Sequence, residues 1–207
     1  MYNPRTNRQP LSLEDVFTSN GSLKNIHNYG PVYEPYFAHI REEPIKLLEV
    51  GVLQGYSLAA WEEFFPKGEI FGLDIYQRVS LEVAKKNVDR SSLLLGDSRS
   101  LSEELVKKAP FDIIIDDGCH HFDFMRDTLK NLWPLLSKGG LYFIEDVMHP
   151  DGQTYKHAAI RREKPEYSLQ KFRSLMSQIS KRDPNHTLHD QRKQTGDSSS
   201  CVFALRK

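Results

Sequence analysis

The chain has 207 residues, 39% of them hydrophobic, enough for one α/β domain with a proper core and hardly for two. Its 28 basic and 28 acidic residues cancel, which argues against a dedicated nucleic-acid binder. No stretch approaches membrane-spanning length, and Met1 to Arg5 has no apolar leader core, so a cytoplasmic protein with no membrane and no nucleic-acid partner is expected. The two cysteines, Cys119 and Cys201, form neither a metal spacing nor a disulfide framework, as suits a reducing compartment. The neutrality hides an asymmetry: from Lys156 onward 12 Lys+Arg face 5 Asp+Glu. That basic third favours either an anionic acceptor or simply a solvated helix face.

Residues 1–44 read as a helical cap of the domain that occupies 45–207. The cap holds a short helix near Leu13, Val16 and Phe17, a turn at Gly21, and a helix from about Val32 to Ile40. Strands are then predicted near 46–50, 69–74, 91–95, 111–116 and 140–145, with helices near 56–65, 79–88, 100–108 and 122–136. Ser100-Leu101-Ser102-Glu103 predicts a capping box, and the β-branched run Ile113-Ile114-Ile115 a central parallel strand covered on both faces. Leu129, Leu132, Trp133 and Leu136 form an apolar helical stripe that belongs to the core, and Lys138-Gly139-Gly140 is expected to end that helix. After Asp146 a polar loop runs from Met148 to Pro165, followed by a helix near Glu166–Ser180 and strands near His186–Asp190 and Cys201–Leu205. This order predicts a Rossmann-like α/β fold, with a doubly wound, mostly parallel seven-stranded sheet finished by an antiparallel hairpin.

In open parallel sheets, ligands lie at the carboxyl ends of the strands. Here each parallel strand ends in an acid: Glu49, Asp74, Asp97, Asp116 with Asp117, and Glu145 with Asp146. Glu49-Val50-Gly51-Val52-Leu53-Gln54-Gly55 runs from a strand into a helix starting at Tyr56-Ser57, so a ligand can lie against bare backbone at the helix N-terminus. Asp74 is suited to grip a ribose diol, which makes this a nucleoside-cofactor site. The spacing resembles motif I of class I S-adenosylmethionine-dependent methyltransferases, E-x-G-x-x-x-G, more than the dinucleotide pattern G-x-G-x-x-G. In that reading Gly51 and Gly55 admit the methionine portion, Asp97 and Ser98 hold the adenine edge, and Asp97 has an alternative role as an N-cap. Glu49 has an alternative as a buried acid paired with a backbone donor.

Asp117, Glu145 and Asp146 converge from neighbouring strand ends, and three such carboxylates repel one another unless a cation sits among them. Hard oxygen ligands of this kind suit Mg²⁺. An imidazole beside them, His120 in preference to His121, can take a proton from an acceptor hydroxyl held at the ion.

Ile115-Asp116-Asp117-Gly118-Cys119-His120 together with Leu135-Leu136-Ser137-Lys138-Gly139-Gly140-Leu141-Tyr142-Phe143-Ile144-Glu145-Asp146 resembles the paired motifs of macrocin- and mycinamicin-type sugar O-methyltransferases and their cephalosporin-hydroxylase-like relatives. Upstream, Ser22 to Tyr29 and Val32-Tyr33 are similar to the D-K-x-x-x-H-x-Y-x-x-x-Y segment of that group, with Leu23 where Asp is frequent; Cys119 stands where serine is usual. The resemblance spans roughly residues 22–146. It implies a class I methyltransferase fold and an enzyme that moves a methyl group from S-adenosylmethionine, leaving S-adenosylhomocysteine, to a sugar hydroxyl of a glycan or glycosylated natural product such as a rhamnoside. It also implies Asp117, Glu145 and Asp146 as Mg²⁺ ligands, His120 as base, Asp116 nearer the cofactor, and Tyr29 and Tyr33 closing over cofactor or acceptor, or else packing in the core. Other readings are a catechol-type acceptor, a nicotinamide oxidoreductase, disfavoured by the glycine spacing, and a non-catalytic S-adenosylmethionine-binding module. The size also fits one domain of a larger glycan-processing protein, and a homo-oligomer is compatible with it.

Overall fold

A computed structural model describes residues 10–75, 81–150 and 164–207. The polar loop expected between Met148 and Pro165, and the start of the helix expected near 79, lie largely outside the described residues. Seven strands form one sheet: β1 Lys46–Val50, β2 Glu69–Asp74, β3 Ser92–Leu95, β4 Phe111–Asp116, β5 Leu136–Ile144, β6 Thr187–Asp190 and β7 Cys201–Arg206. Their spatial order is β3-β2-β1-β4-β5-β7-β6. The pairs from β3 across to β5 are parallel, whereas β7 pairs antiparallel with both β5 and β6. The reversal of winding between β1 and β4 opens the crevice that such sheets use for ligands.

The period-two alternation along each strand distributes side chains to two cores. Leu47, Ile113, Ile115 and Phe143 point to one face, where α1 (Leu13–Ser19), α2 (Gly30–Phe37) and α3 (Tyr56–Phe64) cover them. Leu48, Ile114, Tyr142 and Phe203 point to the other, under α6 (Phe122–Leu132) and α7 (Leu169–Arg182). The first core is aromatic: Tyr33 meets Trp61 edge-on at 5.5 Å and Phe143 at 4.9 Å, and Phe37 stacks on Tyr33 at 5.3 Å. The N-terminal helices thus share a core with the central strands.

Three local expectations are corrected. The short helix α5 (Glu103–Lys108), which follows α4 (Leu81–Asn87), is capped by Ser102, whose hydroxyl accepts from the Leu105 N–H; Ser100 does not cap it. Lys138-Gly139-Gly140 lies inside β5 and does not end a helix. The helix ends earlier, at Leu132, because a 3₁₀ turn containing Pro134 follows. A shift in the β4–β5 register between Phe111 and Ile113 absorbs the two glycines. Trp133 is half-buried and packs beside the second core. A last short helix, α8 (Arg192–Thr195), lies between β6 and β7.

Candidate active site

Beyond the strand ends, the chain continues to hydrogen-bond sideways. The Gly51 N–H reaches the Leu73 carbonyl, the Asp117 N–H the Val50 carbonyl, and the Glu145 N–H the Asp116 carbonyl, at 2.9–3.0 Å. The loops after β1, β4 and β5 are therefore fixed to one another. Gly51 has φ +89°, and a Cβ there would lie 2.0 Å from the Asp117 carbonyl oxygen. Glycine is required by this contact between the two loops, quite apart from any ligand. Gly55, at φ +81°, precedes the first turn of α3.

A cavity of about 510 Å³ opens above these loops, within the usual range for small-molecule sites. One half is lined by Gly51 to Gln54, Tyr56, Ser57, Asp74 and Gly96 to Arg99. Asp74 Oδ2 accepts from the Val52 and Leu53 N–H groups at 2.9 and 3.2 Å, shaping the loop that the ligand would touch. Asp97 is gripped by Arg99 through Nε at 2.9 Å and through a terminal nitrogen at 2.7 Å, and those bonds hold its carboxyl below the usual range. The Ser98 hydroxyl pairs with that of Thr128 at 2.7 Å. The Arg99 guanidinium lies 3.7 Å from the centre of the Phe124 ring, roofing this half.

The other half holds Lys24, His27, Asp117, His120, Glu145 and Asp146. His120 Nε2 stands 3.9 Å from Asp117 Oδ1 and 3.7 Å from Asp146 Oδ2, farther than a hydrogen bond. One ligand atom from each of these three residues lies within 4.8 Å of the other two. His120 Nδ1 is buried without a hydrogen-bond partner. Both His120, at φ +60°, and Asp146, at φ +54°, sit in the left-handed region, as do Asn28 and Leu53 nearby. Non-glycine residues tolerate that conformation where surrounding structure imposes it, and such positions gather at functional sites.

Glu145 turns inward from this group. It accepts from the Lys24 ammonium at 2.7 and 2.8 Å and from the Tyr33 hydroxyl. Lys24, only 3% exposed, also donates to Asp117 Oδ2 at 2.7 Å and lies 2.9 Å from Glu49 Oε1. Burial opposes its charge, but Asp117, Glu145 and Glu49 outweigh burial and push its pKa well above the ordinary range, so it remains an ammonium. One ammonium cannot neutralise three carboxylates. Burial, then the neighbouring Asp117, raises the Glu145 carboxyl well above its ordinary value.

Several predicted residues hold others in place. Glu49 is fully buried, takes the Ser57 hydroxyl at 2.8 Å and the Trp61 indole N–H at 3.2 Å, and does not line the cavity. The alternative reading is right about its burial, but its partners are the side chains of Ser57, Trp61 and Lys24 and not a backbone donor. Tyr29 is likewise outside the lining; its hydroxyl donates to Asp146 Oδ1 at 2.6 Å. Burial and the acids beside them push the Tyr29 and Tyr33 phenols well above the usual range, so both remain donors. Asp116 lines the cavity, and burial raises its carboxyl to about 8. His121 packs near Phe124 and Tyr167, away from the acids.

Lys24 and Arg99 drew no role from sequence reasoning, although both line the cavity. The missed signal was charge: an acid at each of several adjacent strand ends demands a counter-cation, and a lysine in the N-terminal segment before β1 supplies it. His27 was also missed, although its Nδ1 lies 2.9 Å from the Ser200 hydroxyl and 3.8 Å from Asp146 Oδ1.

Residues 48–147 match a family model described as a methyltransferase domain. The 8-demethyl-8-(2-methoxy-α-L-rhamnosyl)-tetracenomycin-C 3'-O-methyltransferase of Streptomyces olivaceus is 33% identical over 164 residues, which is 74% of this chain and 40% of that protein. The demethylmacrocin O-methyltransferase of Streptomyces fradiae is 35% identical over 133 residues, 59% of this chain and 32% of that one. Among solved structures, MycE methyltransferase from the mycinamycin biosynthetic pathway, in complex with Mg, SAH and mycinamycin VI, superposes with a TM-score of 0.64 at 27% identity, over 96% of this chain and 55% of its own. The chain thus spans only about a third to two fifths of the length of these two curated relatives. It carries a methyltransferase domain of the class I fold and resembles the macrocin- and mycinamicin-type sugar O-methyltransferases.

Proposed function

We propose that the protein binds S-adenosylmethionine and a divalent ion, Mg²⁺ in the cell, and transfers the methyl group to a hydroxyl of a sugar in a glycan or glycosylated natural product. The observation that carries this reading is that one cavity contains both the glycine loop with Asp74 and the Asp117–His120–Asp146 group. The donor set fits a hard cation: carboxylate oxygens from two strand ends face a common space, with Glu145 as a third carboxylate at its floor. The relatives' names and the Mg, SAH and mycinamycin VI complex of MycE support the same reading. We read residues 1–44 as the cap of the domain that follows.

Asp117, Glu145 and Asp146 would hold the ion, which when bound would orient the acceptor hydroxyl and increase its acidity. The loop from Gly51 to Ser57 would lie against the methionine portion, Asp74 would receive the ribose, and Asp97 with Ser98 would face the adenine. S-adenosylmethionine would supply an electrophilic methyl carbon, whose bond to sulfur would break with its electrons going to sulfur as the acceptor oxygen bonds to it, and His120 Nε2 would take the hydroxyl proton. Asp117 and Asp146 flank that nitrogen and stabilise the imidazolium as it forms. Tyr29 fixes Asp146 and so helps aim it.

The test is mass-spectrometric detection of methyl transfer to a panel of rhamnosides and other glycosides, with and without Mg²⁺. Transfer to a sugar hydroxyl that EDTA abolishes is the expected result. Turnover unaffected by EDTA removes the ion from the reading, and transfer to catechols but not to glycosides removes the sugar.

A further inference from the structure

Lys24 joins the two halves of the site from beneath. It comes from the cap segment before α2, yet its ammonium lies at the ends of three adjacent strands: β1 through Glu49, β4 through Asp117 and β5 through Glu145. Asp117 divides its carboxylate. Oδ2 accepts from Lys24 at 2.7 Å, while Oδ1 faces His120 and the space that the aspartates share. Glu145 gives both of its oxygens to Lys24.

We propose that Lys24 is a built-in competitor of the divalent ion: it occupies Asp117 and Glu145 from below, keeps the carboxylates together when no ion is present, and weakens divalent binding so that the ion exchanges readily. This rests on the reading of the acids as a divalent-ion site. Two cations sharing ligands repel each other and divide the same lone pairs, so removing the fixed one strengthens the hold on the mobile one. Glu49 sets the strength of this competition. It draws the ammonium towards β1, away from Asp117 and Glu145, and its own place is fixed by Ser57 and Trp61. Lys24 is thus a positioning residue that acts through the carboxylates without touching the acceptor.

The two variants should move ion affinity in opposite directions. Mn²⁺ binding is measured by electron paramagnetic resonance on the whole chain without cofactor, alongside circular dichroism. Lys24→Met should bind Mn²⁺ at least about tenfold more tightly than wild type, although it melts at a lower temperature. Glu49→Gln, which keeps the bonds from Ser57 and Trp61 and does not orphan the ammonium, should bind Mn²⁺ at least about threefold more weakly. A lysine that merely braced the fold would give weaker ion binding in the first variant and no change in the second, and either result overturns the proposal. If Lys24→Met does not fold, the Glu49→Gln result decides alone. Wild-type protein that binds no Mn²⁺ at all overturns the divalent-ion reading itself, and this proposal falls with it.

Discussion

Asp116 is one residue from the carboxylate that faces His120, yet it is buried, accepts from the Gly118 N–H, and leaves Oδ2 with no hydrogen-bond partner. Its folded pKa of about 8 lies above the value of about 3.9 expected unfolded. The folded state therefore binds the proton more tightly, and stability falls as pH rises from about 4 to about 8. In the presence of a chelator, Asp116→Asn should flatten that slope: its melting temperature should match wild type near pH 4 and exceed it by several degrees near pH 9. A parallel pair of melting curves across that range would refute the assignment. His120→Ala should lower turnover by about 10²–10⁴ while leaving SAH affinity nearly intact, since a positioned base acts on the rate and not on cofactor binding. Isothermal titration with SAH beside single-turnover kinetics separates the two. Glu145→Gln retains hydrogen bonds with Lys24 and Tyr33 but loses a charge, so it should remain folded and require far more Mg²⁺ for turnover, approaching the behaviour of chelated wild type.

At the scale of elements, the sequence was most readable where burial imposed a period. Leu47/Leu48 and Ile113/Ile114/Ile115 alternate between two cores, and β1 and β4 fall where the pattern placed them. Boundaries decided by short-range competition were harder to read. Ser100 and Ser102 offer the same chemistry to one helix, and only the path of the loop after β3 selects Ser102. Lys138-Gly139-Gly140 has the composition of a helix stop, but the pairing of β5 with β4 and β7 absorbs it into a strand. The fate of individual acids was likewise hidden. Spacing brought Glu49, Asp117, Glu145 and Asp146 to adjacent strand ends, but could not reveal that Lys24 from the cap would engage three of them. The cap is held by more than that ion cluster. Phe37 stacks on Tyr33 and meets Trp61 at 5.8 Å and Phe143 at 5.4 Å. Phe37→Ala should therefore cost about 3–5 kcal/mol in urea unfolding, and should release the cap along with Lys24.

For the molecule as a whole, the proposed cofactor and ion would share one cavity, whose loops touch at Gly51 and Asp117. Ligands that bind only the folded state stabilise it by about 2.7 kcal/mol at a hundredfold excess over Kd. SAH and Mg²⁺ should each raise the melting temperature by several degrees, and EDTA should reverse only the second shift. Gly51→Ala should abolish the SAH-induced rise, because the added methyl drives into the Asp117 backbone. Among the described residues, no helix is long and apolar enough to cross a membrane.

The sheet order also constrains how the protein comes into being. β7 lies between β5 and β6, so β6, although made earlier, has no neighbour until β7 arrives. The turn between them carries Gln191, which takes an amide hydrogen from Asn28, and Ser200, which pairs with His27. During synthesis, Tyr142, Phe143 and Ile144 of β5 therefore wait with one hydrogen-bonding edge open, a template for pairing with other nascent chains. The brace that Ser200 gives His27, beside Asp146, is then added last, after every described residue that lines the cavity has already been made.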